Sequence, residues 1–356
     1  MGGYDPNRLP DRRPLSAQID LRKFAPVPPP EEPSPAGEER RPRRAARRLL
    51  KNRAAMLGLT LLAALALMAA VVPAVYPYGY SEIITIDGVR DRTARNLAPF
   101  QYSKNEQAAI AAGQRIFPHL FGTDELCRDY FIRVVCGMRV SLLSGLFAAA
   151  AVLAVGVPYG AVAGYFGGKV DLAMMRVADA VYSLPDLLMV VLLSVVLDQA
   201  LGDFIAETPL GALGTNLTGL FIAFGLFYWA GMARLVRGRV MSIRESDYVL
   251  AARGMGAKSG RILRRHLLPN CASVVLAAAA MQIPTAIFAE SFLSFVGLGV
   301  QAPMPSLGSL ANAARGGMQS HPHKLIFPAA GICLIVLAFN LLADGLRDAL
   351  DPAVGR

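Results

Sequence analysis

The sequence predicts an all-α integral membrane protein with six transmembrane helices. Hydrophobic residues make up 54% of the chain and charged residues only 17%, less charge than the surface of a soluble domain of this size carries. The apolar residues gather in six runs of about 20 residues or more, the length that crosses a hydrocarbon core about 30 Å thick. Lys and Arg crowd beside these runs, as they do on the cytoplasmic side of membrane proteins.

Residues 1–45 come first, rich in Pro, Arg, Asp and Glu and containing Pro28-Pro29-Pro30. Such a stretch has too little apolar surface to fold and reads as a disordered cytoplasmic tail. The membrane domain, residues 46–356, follows. A dense basic block from Arg40 to Arg53 leads into the first span, residues 54–76. Its 23 residues reach about 34 Å at a rise of 1.5 Å per residue. A secretory signal peptide is not expected, because the apolar run starts far from the N-terminus and no small-residue cleavage site precedes a mature domain.

The second span is expected over 140–166, interrupted by Gly156, Pro158 and Gly160, and the third over 172–197, with Pro185 inside it. The fourth covers 216–236 and holds the single tryptophan, Trp229; the fifth covers 272–295 and the sixth 325–346. Between the first two spans, residues 77–139 form an extracytoplasmic segment too long for a simple turn. A helix is expected in its middle, between Ser103 and Phe117.

The loops set the sidedness. The connection from Asp198 to Asn216 carries Asp198, Asp203 and Glu207 without Lys or Arg, which suits the outside. Nine Lys or Arg residues lie between Arg234 and Arg265, which suits the inside. Six spans then leave both termini in the cytoplasm of a multi-pass protein of the cell membrane.

The net charge of +10 does not point to nucleic acid. Base reading needs aromatic residues or a recognition element beside the charge, and here the charge flanks membrane spans. The four cysteines, Cys127, Cys136, Cys271 and Cys333, form no CxxC pair and no metal spacing with histidine. The histidines, His119, His266, His321 and His323, read as solvated loop residues, and no metal or cofactor site is expected. An enzyme is not indicated either, since HExxH and GxSxG are both missing. The nearest approach to a phosphate loop, Ala163 to Asp171, lacks the first glycine and has Val170 where Ser or Thr would hold magnesium. Asn216-Leu-Thr218 matches a glycosylation sequon but lies at a membrane boundary.

Charged residues inside spans cost several kcal/mol unless paired or hydrated. Glu290 in the fifth span either lines a water-filled path or gate, or pairs across helices. Asp179 and Asp186, on either side of Pro185, are expected to lie near span ends or to pair across helices. Pro158, Pro185 and Pro284 interrupt helices in a way that transporters use.

The cytoplasmic loop 242–270 is the most informative stretch. An amphipathic turn from Asp247 to Arg253 precedes Gly256, a basic helix from Ser259 to His266 follows, and Leu268-Pro269 is expected to stop it. The result is a compact knob at the membrane surface. It suits docking on a soluble partner, or alternatively an interfacial helix lying against lipid headgroups.

At this loop the sequence resembles the inner-membrane permeases of ABC importers, in particular the second permease of dipeptide and oligopeptide systems. The family signature runs E-A-A, three residues, Gly, nine residues, an apolar position, any residue, Leu-Pro. Here it reads Leu250-Ala251-Ala252, Gly256, His266 and Leu268-Pro269 at the same spacing, with Leu250 in place of Glu. FGTDELCRD resembles the run after the first span of this branch, through Phe121, Gly122, Thr123, Asp124, Arg128 and Asp129, with Cys127 where Gly is usual. Glu290 to Leu310 and Ala338 to Pro352 resemble two further runs of the branch, with Leu307 in place of Trp and Ala343 in place of Gly.

The resemblance implies a type I ABC importer permease fold whose cytoplasmic loop carries the coupling helix. It implies partners: a second homologous permease, two ATPase subunits that bind ATP and magnesium, an external solute-binding protein, and the bilayer. Leu250, Ala251, Ala252, Gly256, Leu268 and Pro269 would then meet an ATPase subunit, and the FGTDELCRD region would help to receive substrate. The implied cargo is a di- or oligopeptide. The alternatives are nickel or another small solute in the same family, or a scaffold or receptor that recruits a partner without transport.

Overall fold

The computed structural model describes residues 47–207, 215–300 and 304–350; the expected tail, residues 1–45, lies outside them, as does the side chain of Asp186. The described residues are mostly helical. Helix α1, Arg53–Val75, starts on Asn52, whose Oδ1 accepts the amides of Ala54 and Ala55 at 3.0 and 3.2 Å, satisfying two of the donors that a helix start leaves open.

Residues 77–129 then build a small polar annex. Strands β1, Thr85–Ile86, and β2, Val89–Arg90, pair antiparallel across Asp87-Gly88, both at positive φ, as a two-residue hairpin turn demands. Helix α2, Lys104–Ala111, falls inside the stretch from Ser103 to Phe117 where a helix was expected. It opens with a capping box between Ser103 and Glu106. Ile84, Ala94, Leu97 and Cys127 form the annex's own apolar cluster.

Helix α3, Tyr130–Phe166, is the axis of the membrane domain, 37 residues capped by Asp129. It starts ten residues before the expected second span and runs unbroken through Gly156, Pro158 and Gly160. The glycines do not interrupt the helix; they admit a neighbour. Helix α4, Gly168–Tyr182, and helix α5, Asp186–Ala206, divide the expected third span at Ser183-Leu184-Pro185, because the residue before a proline is driven out of helical geometry. The apolar stretch Leu188–Leu197 lies within α5. Helices α6, Thr215–Phe227, and α7, Trp229–Ile243, form the fourth apolar segment.

Gly156, Gly160 and Gly164 of α3 repeat every fourth residue against α7. A Cβ built on Gly160 would stand 2.2 Å from the Ala233 carbonyl oxygen, and on Gly164 2.7 Å from that of Arg237. Small residues at this spacing let two backbones approach where no hydrophobic effect drives helices together in lipid. Asp171 of α4 receives both Nε and a terminal nitrogen of Arg237, and Asp179 pairs with Arg234 at 2.8 Å. Asp179 therefore pairs across helices, and the stretch from Ala163 to Asp171 is two helix ends joined at Gly167 rather than a phosphate loop.

Helices α8, Asp247–Gly254, and α9, Ser259–Ile262, make the cytoplasmic knob. A wide π turn, Leu263–Leu267, then leads straight into helix α10, Leu268–Val296. Leu268-Pro269 does not stop the basic helix as expected. Proline is tolerated in a first helical turn, where no amide partner is required, so Pro269 opens α10 instead. Helix α11, Leu307–Ala314, dips beside α10, and helix α12, His323–Leu350, closes the domain against α1 and α10. Among the described residues, five segments are long and apolar enough to cross a membrane: Arg53–Val75, Tyr130–Phe166, Thr218–Ile243, Ser259–Val296 and His323–Leu350. The shorter apolar stretch of α5, Leu188–Leu197, is consistent with the remaining span of the six expected.

Candidate functional site

The knob has two faces. Val249 and Ala252 of α8 point inward and join Ile262, Leu267, Cys271 and Val240 in one buried cluster. Tyr248 Oη accepts the Asn270 amide at 2.9 Å, and the Arg253 guanidinium lies 4.9 Å above the Tyr165 ring. These contacts tie the knob to α10 and to the end of α3. The outward face presents Leu250, Ala251, Arg253 and Met255, the last 82% exposed.

The turn between α8 and α9 is a complete Schellman closure. The Gly256 amide donates to Arg253 O at 2.9 Å and the Ala257 amide to Ala252 O at 3.1 Å. Gly256 has φ +81° and nothing within 4 Å of where a Cβ would stand. Glycine is required here by backbone conformation and not by crowding. Leu268 is half-buried and Pro269 exposed, so all six positions of the expected docking motif lie in the knob or at its junction with α10.

On the opposite side, the run Phe121 to Asp129 wraps the start of α3. Phe121 stacks on Phe327 of α12 at 3.8 Å between ring centroids. Gly122 presses on the Leu97 carbonyl, and Thr123 Oγ1 donates to Ala94 O while accepting the Leu97 amide. Asp124 Oδ1 takes the amides of Leu126 and Arg128, and its Oδ2 takes Arg128 Nε at 2.7 Å. Cys127 is buried at φ +63°, a conformation that glycine adopts without strain; the thiol packs into the annex core at a cost of about 1–2 kcal/mol in backbone strain. Cys127 and Cys136 do not share a helix, and all four cysteines are free.

Sequence reading missed the centre of this region. His119 is not a solvated loop residue. It is fully buried, with Nδ1 2.8 Å from Asp129 Oδ2 and Nε2 2.9 Å from Glu106 Oε1. Burial alone would lower its pKa, but hydrogen bonds to Asp129 and Glu106 and their charges outweigh this and raise it to about 9. Glu106 is held below the usual glutamate range: burial works against ionisation, and His119 and the Ser103 amide more than offset it. Tyr76 Oη donates to the same Asp129 oxygen at 3.3 Å; burial first, then the Asp129 charge, pushes its hydroxyl upward. A helix between Ser103 and Phe117 was expected from composition, but nothing in the sequence showed that Glu106 would meet His119.

Glu290 is fully buried in α10 and does not line an open path in this conformation. Ser141 Oγ of α3 donates to Oε2 at 2.9 Å and Ser294 Oγ to Oε1 at 2.9 Å, with Ser291 Oγ at 3.3 Å from Oε2. Ser294 Oγ also accepts the Val300 amide at 3.1 Å. The carboxyl group thus fastens α3 to α10 and orders the chain leaving α10 through serine hydroxyls.

Comparison with known proteins agrees with these features. The family described as binding-protein-dependent transport system inner membrane component matches residues 156–356. That described as the N-terminal TM domain of oligopeptide transport permease C matches residues 42–99. A dipeptide transport system permease protein of Bacillus subtilis is 42% identical over 311 residues, 87% of this chain and 85% of that one. An oligopeptide transport system permease protein of the same organism is 38% identical, covering 86% and 87%. A glutathione transport system permease protein of Escherichia coli is 39% identical over 66% of this chain and 73% of its own length.

Proposed function

Because this chain belongs to the family of binding-protein-dependent transport system inner membrane components, a group of multi-pass membrane permeases, we propose that it is one permease subunit of an ATP-driven importer of di- or oligopeptides. The observation that carries the reading is the two-faced knob. Val249, Ala252, Ile262 and Leu267 lock it to the spans, while Leu250, Ala251 and Met255 stand free beside the Gly256 turn.

In this reading the knob lies in the cytoplasm and docks in a groove of an ATPase subunit. A second permease completes the translocation path, two ATPase subunits bind ATP and magnesium, and an external solute-binding protein delivers peptide to the side that bears the annex. Closure of the ATPases moves the knobs together; the buried contacts of α8 with α10 and the end of α3 pass that motion into the spans. Hydrolysis then resets the path. This chain contributes the path and the coupling, and its partners the chemistry. The basic cluster from Arg234 to Arg265 supports the cytoplasmic placement of the knob. The dipeptide, oligopeptide and glutathione names of the relatives support peptide over nickel, and no observation favours a scaffold without transport.

The test is affinity purification from native membranes in mild detergent, followed by uptake of labelled dipeptide into vesicles that hold the recovered complex. Co-purifying ABC-type ATPases and a second permease, with ATP-dependent uptake, are expected. Purification of the chain alone under several detergents, or vesicles that pass no peptide, would overturn the reading.

A further inference from the structure

A cleft of about 300 Å³ opens between the Asp124–Arg128 turn, the first turn of α3, α11 and the start of α12. Arg128, Arg133 and Lys324 line it, with Asp124 and Glu125, and Leu310 on an apolar wall. Three cations therefore face two carboxylates. The carboxylates do not balance the deep end of the cleft. Both Asp124 oxygens are already occupied, Oδ1 by two amides and Oδ2 by Arg128 through Nε and a terminal nitrogen, each at 2.7 Å. Glu125 stands exposed at the rim.

Arg133 and Lys324 are each only 6% exposed. One terminal nitrogen of Arg133 donates to Tyr80 O at 2.9 Å, and Lys324 Nζ donates to Asn96 Oδ1. Arg133 Nε is buried without a hydrogen-bond partner among the described residues, 3.5 Å from an Asp124 oxygen that is already taken. A buried cation with an unmet donor is costly, and a planar guanidinium matches a two-oxygen anion. The apolar wall excludes water from one side and strengthens such a contact.

The geometry points to this cleft as a subsite for the free C-terminal carboxylate of an incoming small peptide, with the Arg133 guanidinium as the principal donor and Lys324 completing the positive field. The volume lies at the lower end of small-ligand sites, enough for the terminal residue of a peptide rather than a long chain. The inference rests on the importer reading above and adds a place where the permease itself senses one end of its cargo.

The test uses the complete importer in nanodiscs, without solute-binding protein, and saturation-transfer NMR with dialanine and with its C-terminal amide. Wild type is expected to bind the free acid roughly tenfold more tightly than the amide, the scale of one hydrogen bond to a charged group. Arg133→Gln and Lys324→Gln should each erase that preference. Equal binding of acid and amide by wild type, or a preference that survives both substitutions, overturns the subsite. If Arg133→Gln fails to assemble because Tyr80 loses its donor, Lys324→Gln decides. Equal binding of acid and amide together with variants that lose only stimulation by the binding protein would make the cleft a protein-docking surface and refute the peptide subsite. Binding-protein-stimulated ATP hydrolysis by the wild-type complex is measured in parallel. Its absence would fail the importer reading, whereas its presence without acid discrimination would fail the subsite alone.

Discussion

His119 Nδ1 lies 2.8 Å from Asp129 Oδ2, so the residue that caps the longest helix is also one wall of a buried ion triad. Asp129 uses Oδ1 for the Ile132 amide of α3 and Oδ2 for His119, and His119 reaches on to Glu106 of α2. The annex is thereby fastened to the entrance of the membrane domain through one imidazolium.

This fastening depends on pH. The folded pKa of His119, about 9, lies above its ordinary value of 6.5. Its contribution, about 3 kcal/mol by linkage, is complete below about pH 6.5 and is lost as pH rises through 9. Glu106 acts with the opposite sign, because its depressed pKa removes stability as pH falls through the acid range. Protection of α2 amides against exchange in the intact complex, taken relative to the base-catalysed intrinsic rate at each pH, should be greatest near pH 6 and should fall by pH 9.5. His119→Ala should abolish that alkaline step and destabilise the annex by about 3–5 kcal/mol near neutral pH, where two carboxylates remain buried without their cation, and the difference from wild type should shrink as pH rises through 9.

Gly160→Val should disrupt the membrane domain. Its Cβ would fall 2.2 Å from a backbone oxygen of α7 that cannot swing aside, at a cost of about 3 kcal/mol. Gly225→Ala on α6 is the control, because its nearest neighbour there is the Ala151 Cβ at an ordinary 3.6 Å. Thermal unfolding in detergent should separate the two by several degrees.

Gly256→Val should leave membrane insertion intact and impair coupling. Nothing crowds the position, so the effect arises from forcing a branched residue into φ +81°, worth about 1–2 kcal/mol and confined to the knob. Membrane levels by immunoblot should match wild type while peptide uptake falls. Normal uptake by this variant would refute the docking role of the turn.

Leu250→Glu should change stability by less than about 0.5 kcal/mol, since Leu250 is 49% exposed and outside the buried cluster. It restores the carboxylate usual at the start of the motif and should strengthen retention of ATPase subunits during purification. Weaker retention would show that the apolar side chain is itself part of the contact.

Glu290→Gln should be tolerated and Glu290→Leu should not. Glutamine keeps an acceptor, and the serine hydroxyls can rotate to accept from its amide. Leucine strands the hydroxyls of Ser141, Ser291 and Ser294 in a dry interior, at about 1–3 kcal/mol for each left unmet. Comparing the melting temperatures of the two variants checks this.

The sequence by itself determined which stretches are apolar and long enough to suit a membrane. A span is a local property, about 20 consecutive apolar residues whose backbone bonds close within one helix, and the knob's turn is equally local, since the Ala257 amide donates to Ala252 O and the Gly256 amide to Arg253 O. Tertiary structure alone decided what the polar side chains inside and beside the spans do. Ser141 and Glu290 are 149 positions apart, and Lys324 and Asn96 are 228 apart. His119 became a buried cation because α2 and the start of α3 close on it from two directions. Gly160 is a packing contact rather than a helix break because α7 lies across it. A hydropathy run records the solvent each residue prefers; partner choice between polar groups depends on which helices come to lie side by side, and one strand of sequence does not encode that pairing in any local pattern.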